Sequence, residues 1–113
     1  MLRFKPEMRI KAMEVFVHKG RICVVVNMDD KYHNGYVQVL QKNKGKDYEK
    51  FVDKIETVEL TYSGDLDGLF DGVWFFGFDT AHFWNDLHPE TKTFESVKKQ
   101  TIKLCEEMKR KRI

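Results

Sequence analysis

The apolar and polar positions of this chain predict strands first and one long helix last. Residues 12–18 and 21–28 are β-prone runs weighted by Val15, Val17, Ile22, Val24 and Val26, and Lys19-Gly20 between them is a hairpin signal. A polar connection rich in turn formers follows over 29–35, and residues 35–40 alternate apolar with polar, predicting a third strand. Residues 57–62 alternate again and predict a fourth strand, closed by Ser63-Gly64-Asp65. Residues 72–78 read Gly-Val-Trp-Phe-Phe-Gly-Phe, the composition of a strand buried on both faces, and the rest of the chain is organised around it.

Two helices complete the pattern. After an exposed loop over 41–46, Asp47 can cap a short helix whose Tyr48, Phe51, Val52 and Ile55 share one face. Phe94, Val97, Thr101, Leu104, Cys105 and Met108 recur at steps of three and four, and Thr91 or Thr93 can cap the helix they define. Lys98, Lys99, Lys103, Glu106 and Glu107 fill much of its other surface, and the basic run 109–112 complements the dipole at its C-terminal end. The expected fold is α+β: an antiparallel or mixed sheet of about five strands packed against a C-terminal amphipathic helix, with one short additional helix.

At 113 residues the chain has room for a single domain with a real core. Its 13% aromatic content, including nine Phe, makes that core an aromatic one. The formal charge of +2 gives no whole-molecule field that would argue for nucleic acid. Cys23 and Cys105 lie far apart in sequence, form no close metal-ligand pair, and read as reduced, buried thiols. Residues 1–9 mix charged with apolar positions and lack the apolar core of a signal peptide, and no stretch approaches the about 18 apolar residues that span a bilayer. The expectation is therefore a cytoplasmic protein without a membrane partner.

The candidate chemistry sits where the aromatic strand ends. Asp79, His82 and Asp86 follow it closely, so that a core element delivers two carboxylates and an imidazole to one place. Were the segment helical, the three would share a face and could ligate a metal or serve as base and orienting acid in a hydrolase. Asp79 capping a turn, with His82 donating into it, is the simpler alternative. Aromatics beside polar groups, at 32–36 and 78–84, can instead stack on a purine while Asp or Asn reads its edge. The resulting ligand set is Asp79, Thr80, His82, Trp84 and Asp86, joined by Tyr36, His33 and Tyr62. Asp65, Asp67 and Asp71 resemble part of a calcium loop, but its twelfth position falls on Phe76, so a polar turn is expected there. No P-loop, nucleophile elbow or dinucleotide fingerprint is present.

Gly35-Tyr36-Val37, Leu60-Thr61-Tyr62-Ser63 and the segment 74–82 with Asp86 beyond it resemble a group of small bacteriophage and prophage proteins. Those proteins carry similar G-Y-V, H-G-G-L-T-Y-S and W-W-x-G-F-D-x-A-H segments and a closing charged helix. This chain has Thr57, Val58 and Glu59 where the His-Gly-Gly would stand. The resemblance implies a phage origin and action inside a bacterial host, with no established activity. The leading expectation is binding of a small molecule, such as a nucleotide-derived immune signal that the phage would sequester. A metal-dependent hydrolase built on Asp79, His82 and Asp86 ranks second, and a protein inhibitor of a host factor third. No cofactor is named by the residues, and a homo-oligomer is compatible with all three.

Overall fold

A computed structural model describes residues 10–66 and 70–113, with side chains from Met13 onward. Five strands, β1 (Ile10–His18), β2 (Arg21–Met28), β3 (Tyr32–Gln38), β4 (Tyr62–Leu66) and β5 (Phe70–Phe78), form one antiparallel sheet in the order β1-β2-β3-β5-β4. The short helix α1 (Phe83–Leu87) follows β5, and α2 (Phe94–Arg110) closes the chain. The expected α+β architecture holds, and the pairing is antiparallel throughout the described strands. No helix among the described residues is long and apolar enough to cross a membrane.

Local chemistry explains most of the elements. Lys19 and Gly20 both take positive φ, 49° and 82°, the paired left-handed conformation that a tight hairpin between β1 and β2 requires. Thr93 caps α2 by accepting the Ser96 amide at 3.2 Å. Val97, Thr101, Leu104, Cys105 and Met108 are buried, so the apolar stripe read from sequence is the face laid on the sheet. Cys23 on β2 and Cys105 on α2 are free thiols buried in this layer. Strand alternation sends a second set, including Val24, Val26, Tyr36 and Phe75, to the opposite face, where Tyr62 and Phe70 pack against it.

Several expected boundaries move: β1 and β5 each begin two residues early, at Ile10 and Phe70, and β3 ends at Gln38. Strand β3 begins at Tyr32, so His33 and Asn34 lie in the sheet and not in a turn. The predicted helix after Asp47 is a single 3-10 turn, Tyr48–Phe51, although Asp47 does cap it by accepting the Glu49 amide at 2.8 Å. The fourth strand starts at Tyr62 instead of residue 57; the amides of Glu56 and Thr57 bond the Glu107 carboxylate at 2.8 and 2.9 Å, and the chain meets β5 only from Thr61, which donates to the Gly77 carbonyl at 2.9 Å. Ser63, Gly64 and Asp65 therefore lie within β4 and do not close it. Of the residues of the expected polar turn, Asp65 lies in β4 and Asp71 in β5, and Asp67 lies outside the described residues.

Two glycines bring β3, β5 and α2 together. Gly35 pairs with Phe78, and a Cβ on it would strike the Phe78 ring and the Thr101 hydroxyl of α2. Tyr36 pairs with Gly77, and a Cβ there would strike the Tyr36 ring and the Gly35 carbonyl. Each glycine thus leaves room for the aromatic ring opposite it, one on each face of the sheet. Gly77→Ala is expected to cost about 1–3 kcal/mol through overpacking, read as a lower urea midpoint with an unchanged m-value.

Candidate functional site

The end of β5 opens into a cleft between that strand, α1 and the first turns of α2. Its volume is about 360 Å³, and the residues lining it come from four places in the chain: Thr57 to Glu59, Phe78 to His82, the Trp84 to Thr91 region, and Ser96 with Gln100. Strand β5 can deliver them because Phe75, Phe76 and Phe78 are anchored in the core immediately before Asp79. The chain then leaves the sheet. His82 is extended, with φ −92° and ψ 158°, and α1 starts only at Phe83.

Asp79 and His82 meet as the sequence suggested. His82 Nε2 lies 2.7 Å from Asp79 Oδ1, an ion-pair contact made at a buried carboxylate oxygen. Thr80 is buried and donates to the His33 carbonyl at 2.7 Å, tying the end of β5 to β3. Trp84 lines the cleft while 58% exposed, and its ring stacks near His88 with centroids 4.5 Å apart. Asn85, buried beneath it, accepts the His82 amide at 3.3 Å and donates to Thr91 Oγ1 at 2.8 Å. That network fixes α1 to the turn at Pro89–Lys92 and holds the wall of the cleft in place.

The other predicted site residues go elsewhere. Asp86 is paired with Lys92 and does not line the cleft. The helical premise behind a shared face fails because Asp79 precedes the helix. Among the described residues, no three His, Cys, Asp or Glu side chains are placed to hold a metal, so the Asp79, His82 and Asp86 centre is not assembled. His33 Nδ1 contacts the Lys92 carbonyl at 2.7 Å, and its ring meets Phe94 edge-on, outside the cleft lining. Tyr36 and Tyr62 lie on the opposite face of the sheet, where their rings pack edge to face at 5.6 Å. Burial, reinforced by the Asp79 carboxylate, pushes the Tyr36 phenol up to about 12 against the opposing bond from Asn34. Tyr62 donates its hydroxyl to the Asp65 carbonyl at 2.7 Å. Both tyrosines are structural here.

Sequence reading missed Glu59, Asn85, Thr91, Ser96 and Gln100 as lining residues. Ser96 and Gln100 carried a signal, being polar residues four apart that border the apolar stripe of α2. Asn85 stands three residues after His82, the spacing at which a side chain reaches back to a cap. Glu59 and Thr91 carried none, since only tertiary folding brings residues 57–59 to the start of α2. Comparison with family models, with characterised proteins and with solved structures returns no match for this chain.

Proposed function

We propose that this chain is a small-molecule-binding protein whose ligand sits in the cleft at the end of β5, with Trp84 as its stacking surface. The observation that carries the reading is a solvent-exposed indole bordering a concave site in which hydrogen-bonding side chains stand beside Phe78 and Val58. Phe78 supplies a second ring; Asp79, His82, Asn85 and Gln100 supply acceptors and donors for orientation. Such a wall suits a planar heterocycle with a polar edge, the chemistry of nucleosides and their derivatives. Together with the resemblance to phage proteins, this supports sequestration of a nucleotide-derived host signal in the bacterial cytoplasm as the biological role.

Native mass spectrometry of the protein purified from bacterial cells tests the proposal. The expected result is a small organic mass on the wild type that is lost from both Trp84→Ala and Asp79→Ala, with melting temperatures within a few degrees of wild type. Retention of the ligand by both variants would move the site away from the cleft.

A second reading has its own observation. Phe83 and Leu87 are 76% and 61% exposed, four residues apart on α1, and with Trp84 they form an apolar surface of the kind that marks protein contacts. In that reading α1 docks onto a host protein. Phe83→Asp with Leu87→Asp would then abolish capture of that partner while leaving small-molecule binding intact.

A further inference from the structure

We propose that a groove at the other end of α2 from the cleft binds a phosphate group, free or carried as a monoester on a small molecule, with Arg21 as its anchor. The groove lies where the β1–β2 turn, the end of β3 and the last turn of α2 meet. Its volume is about 410 Å³, and Lys19, Arg21, Gln38, Gln41 and Lys109 line it with no carboxylate among the described residues. It shares no residue with the cleft, so the two sites stand independently. Arg21 opens β2 and is only 6% exposed, yet among the described residues no carboxylate pairs with it. Its Nη1 donates to the Gln38 carbonyl at 3.3 Å, and none of its nitrogens is both unbonded and sealed from solvent, so the remaining donors open to the groove. A guanidinium does not shed its proton to escape burial, and a buried charge is costly unless an anion compensates it. Burial pushes the Arg21 pKa down, and the groups that oppose this are the Cys105 and Cys23 thiols, not carboxylates.

The surroundings add charge and donors. Lys109 Nζ donates to the Lys19 carbonyl at 2.6 Å, which holds the last turn of α2 against the hairpin turn and leaves the other N–H groups of that ammonium for a ligand. Gln38 Oε1 accepts the Ile22 amide at 3.0 Å, so its amino group is the end left to donate. Glu106 lies 3.3 Å from Lys19 Nζ and 3.2 Å from His18 Nε2 but outside the lining. Three cations against that one carboxylate leave this corner positive in a chain whose formal charge is only +2. A phosphate monoester brings about two negative charges and three strong acceptor oxygens, enough for the Arg21 fork and both ammonium groups together. A carboxylate, with a single charge, leaves part of the cluster uncompensated.

Titration of inorganic phosphate into the isotope-labelled protein at constant ionic strength, read by amide shifts and by melting temperature, tests the proposal. Saturable shifts are expected at residues 19–21 and 38–41. The melting temperature should rise with phosphate and not with equivalent chloride, because a ligand of the native state stabilises it. Acetate should bind roughly tenfold or more weakly than phosphate. Arg21→Lys keeps the charge but loses the fork and should weaken phosphate roughly tenfold. Lys109→Ala, at an exposed position that leaves the core intact, should weaken it several-fold. Tighter binding of ribose 5-phosphate than of inorganic phosphate would mark the monoester as the ligand, and equal or weaker binding the free ion. No saturable phosphate shift at these residues, or shifts that both variants leave unchanged, would overturn the proposal, as would a melting temperature that phosphate and chloride raise alike. With inorganic phosphate held saturating, the groove is filled and ligands of the cleft are read apart from it.

Discussion

Phe76→Ala is expected to lower stability by about 3–5 kcal/mol, enough to leave a small domain largely unfolded. Phe76 lies on β5, paired with Val37 on one side and Ser63 on the other, and is fully buried. Its ring packs 5.0 Å from that of Phe51 in the same cluster as Val97, Leu104 and Met108. Truncation would leave a cavity walled by two strands and a helix, none of which can collapse into it without breaking the ladder. Trp74 stands two residues earlier on the same strand and is larger, yet it is only partly buried and its Nε1 donates to the Lys46 carbonyl at 3.0 Å. Trp74→Ala should therefore cost clearly less. Urea unfolding of the two variants side by side checks the ordering, and an equal loss for both would mean that the core is centred differently.

Glu107→Ala should cost about 3 kcal/mol, the lower end for breaking a buried ion pair because Lys111 keeps a third of its side chain in water. The Glu107 side chain is 2% exposed, bonds Lys111 Nζ at 2.7 Å, and also accepts the amides of Glu56 and Thr57. Burial alone would raise its pKa. The bond from Lys111 and the two amides outweigh that and hold the carboxyl at about 2, below its ordinary 4.5. Because the folded pKa is depressed, the stabilisation is fully present above pH 4.5 and is lost as pH falls from there through about 2. Glu107→Gln can accept one of the amides but carries no charge, so its stability should vary less with pH across that window than wild type. A parallel acid dependence in the two proteins would show that Glu107 does not carry it.

Glu107 also explains where sequence reading lost the fold. The sequence pattern groups it with the charged residues beside the stripe; it stands seven positions after Gln100, at the stripe's edge, where spacing does not say whether a side chain faces solvent or core. Its partners are some fifty positions earlier in the chain. The same carboxylate takes the amide of Thr57, the first residue of the expected fourth strand, away from the sheet. By contrast the aromatic strand was legible as a continuous run of β-prone residues, and the stripe of α2 from its steps of three and four. The glycines Gly35 and Gly77 were visible as motif residues, but their reason is a pairing register that sequence pattern does not contain.

The site was legible in the same partial way. Asp79, Thr80, His82 and Trp84 follow β5 without interruption, and the end of a buried strand is where side chains emerge together. Tyr36 and Tyr62 fell out because the choice of face on a strand is fixed by what packs on it, and here that choice places both rings away from α2. Asp86 fell out because a lysine six residues later takes its charge. Local spacing was enough to find one wall of the cleft; the wall supplied by α2 and by residues 57–59 required the tertiary fold.

The most direct test of the central claim is amide chemical-shift mapping of the isotope-labelled protein against a panel of nucleosides and nucleotides. The cleft reading predicts saturable shifts confined to the amides of residues 57–59, 79–85, 96 and 100 and to the Trp84 indole, with β1 and the far face of the sheet unmoved. Shifts centred on Tyr36 and Tyr62, or no saturable shift with any member of the panel, would contradict it.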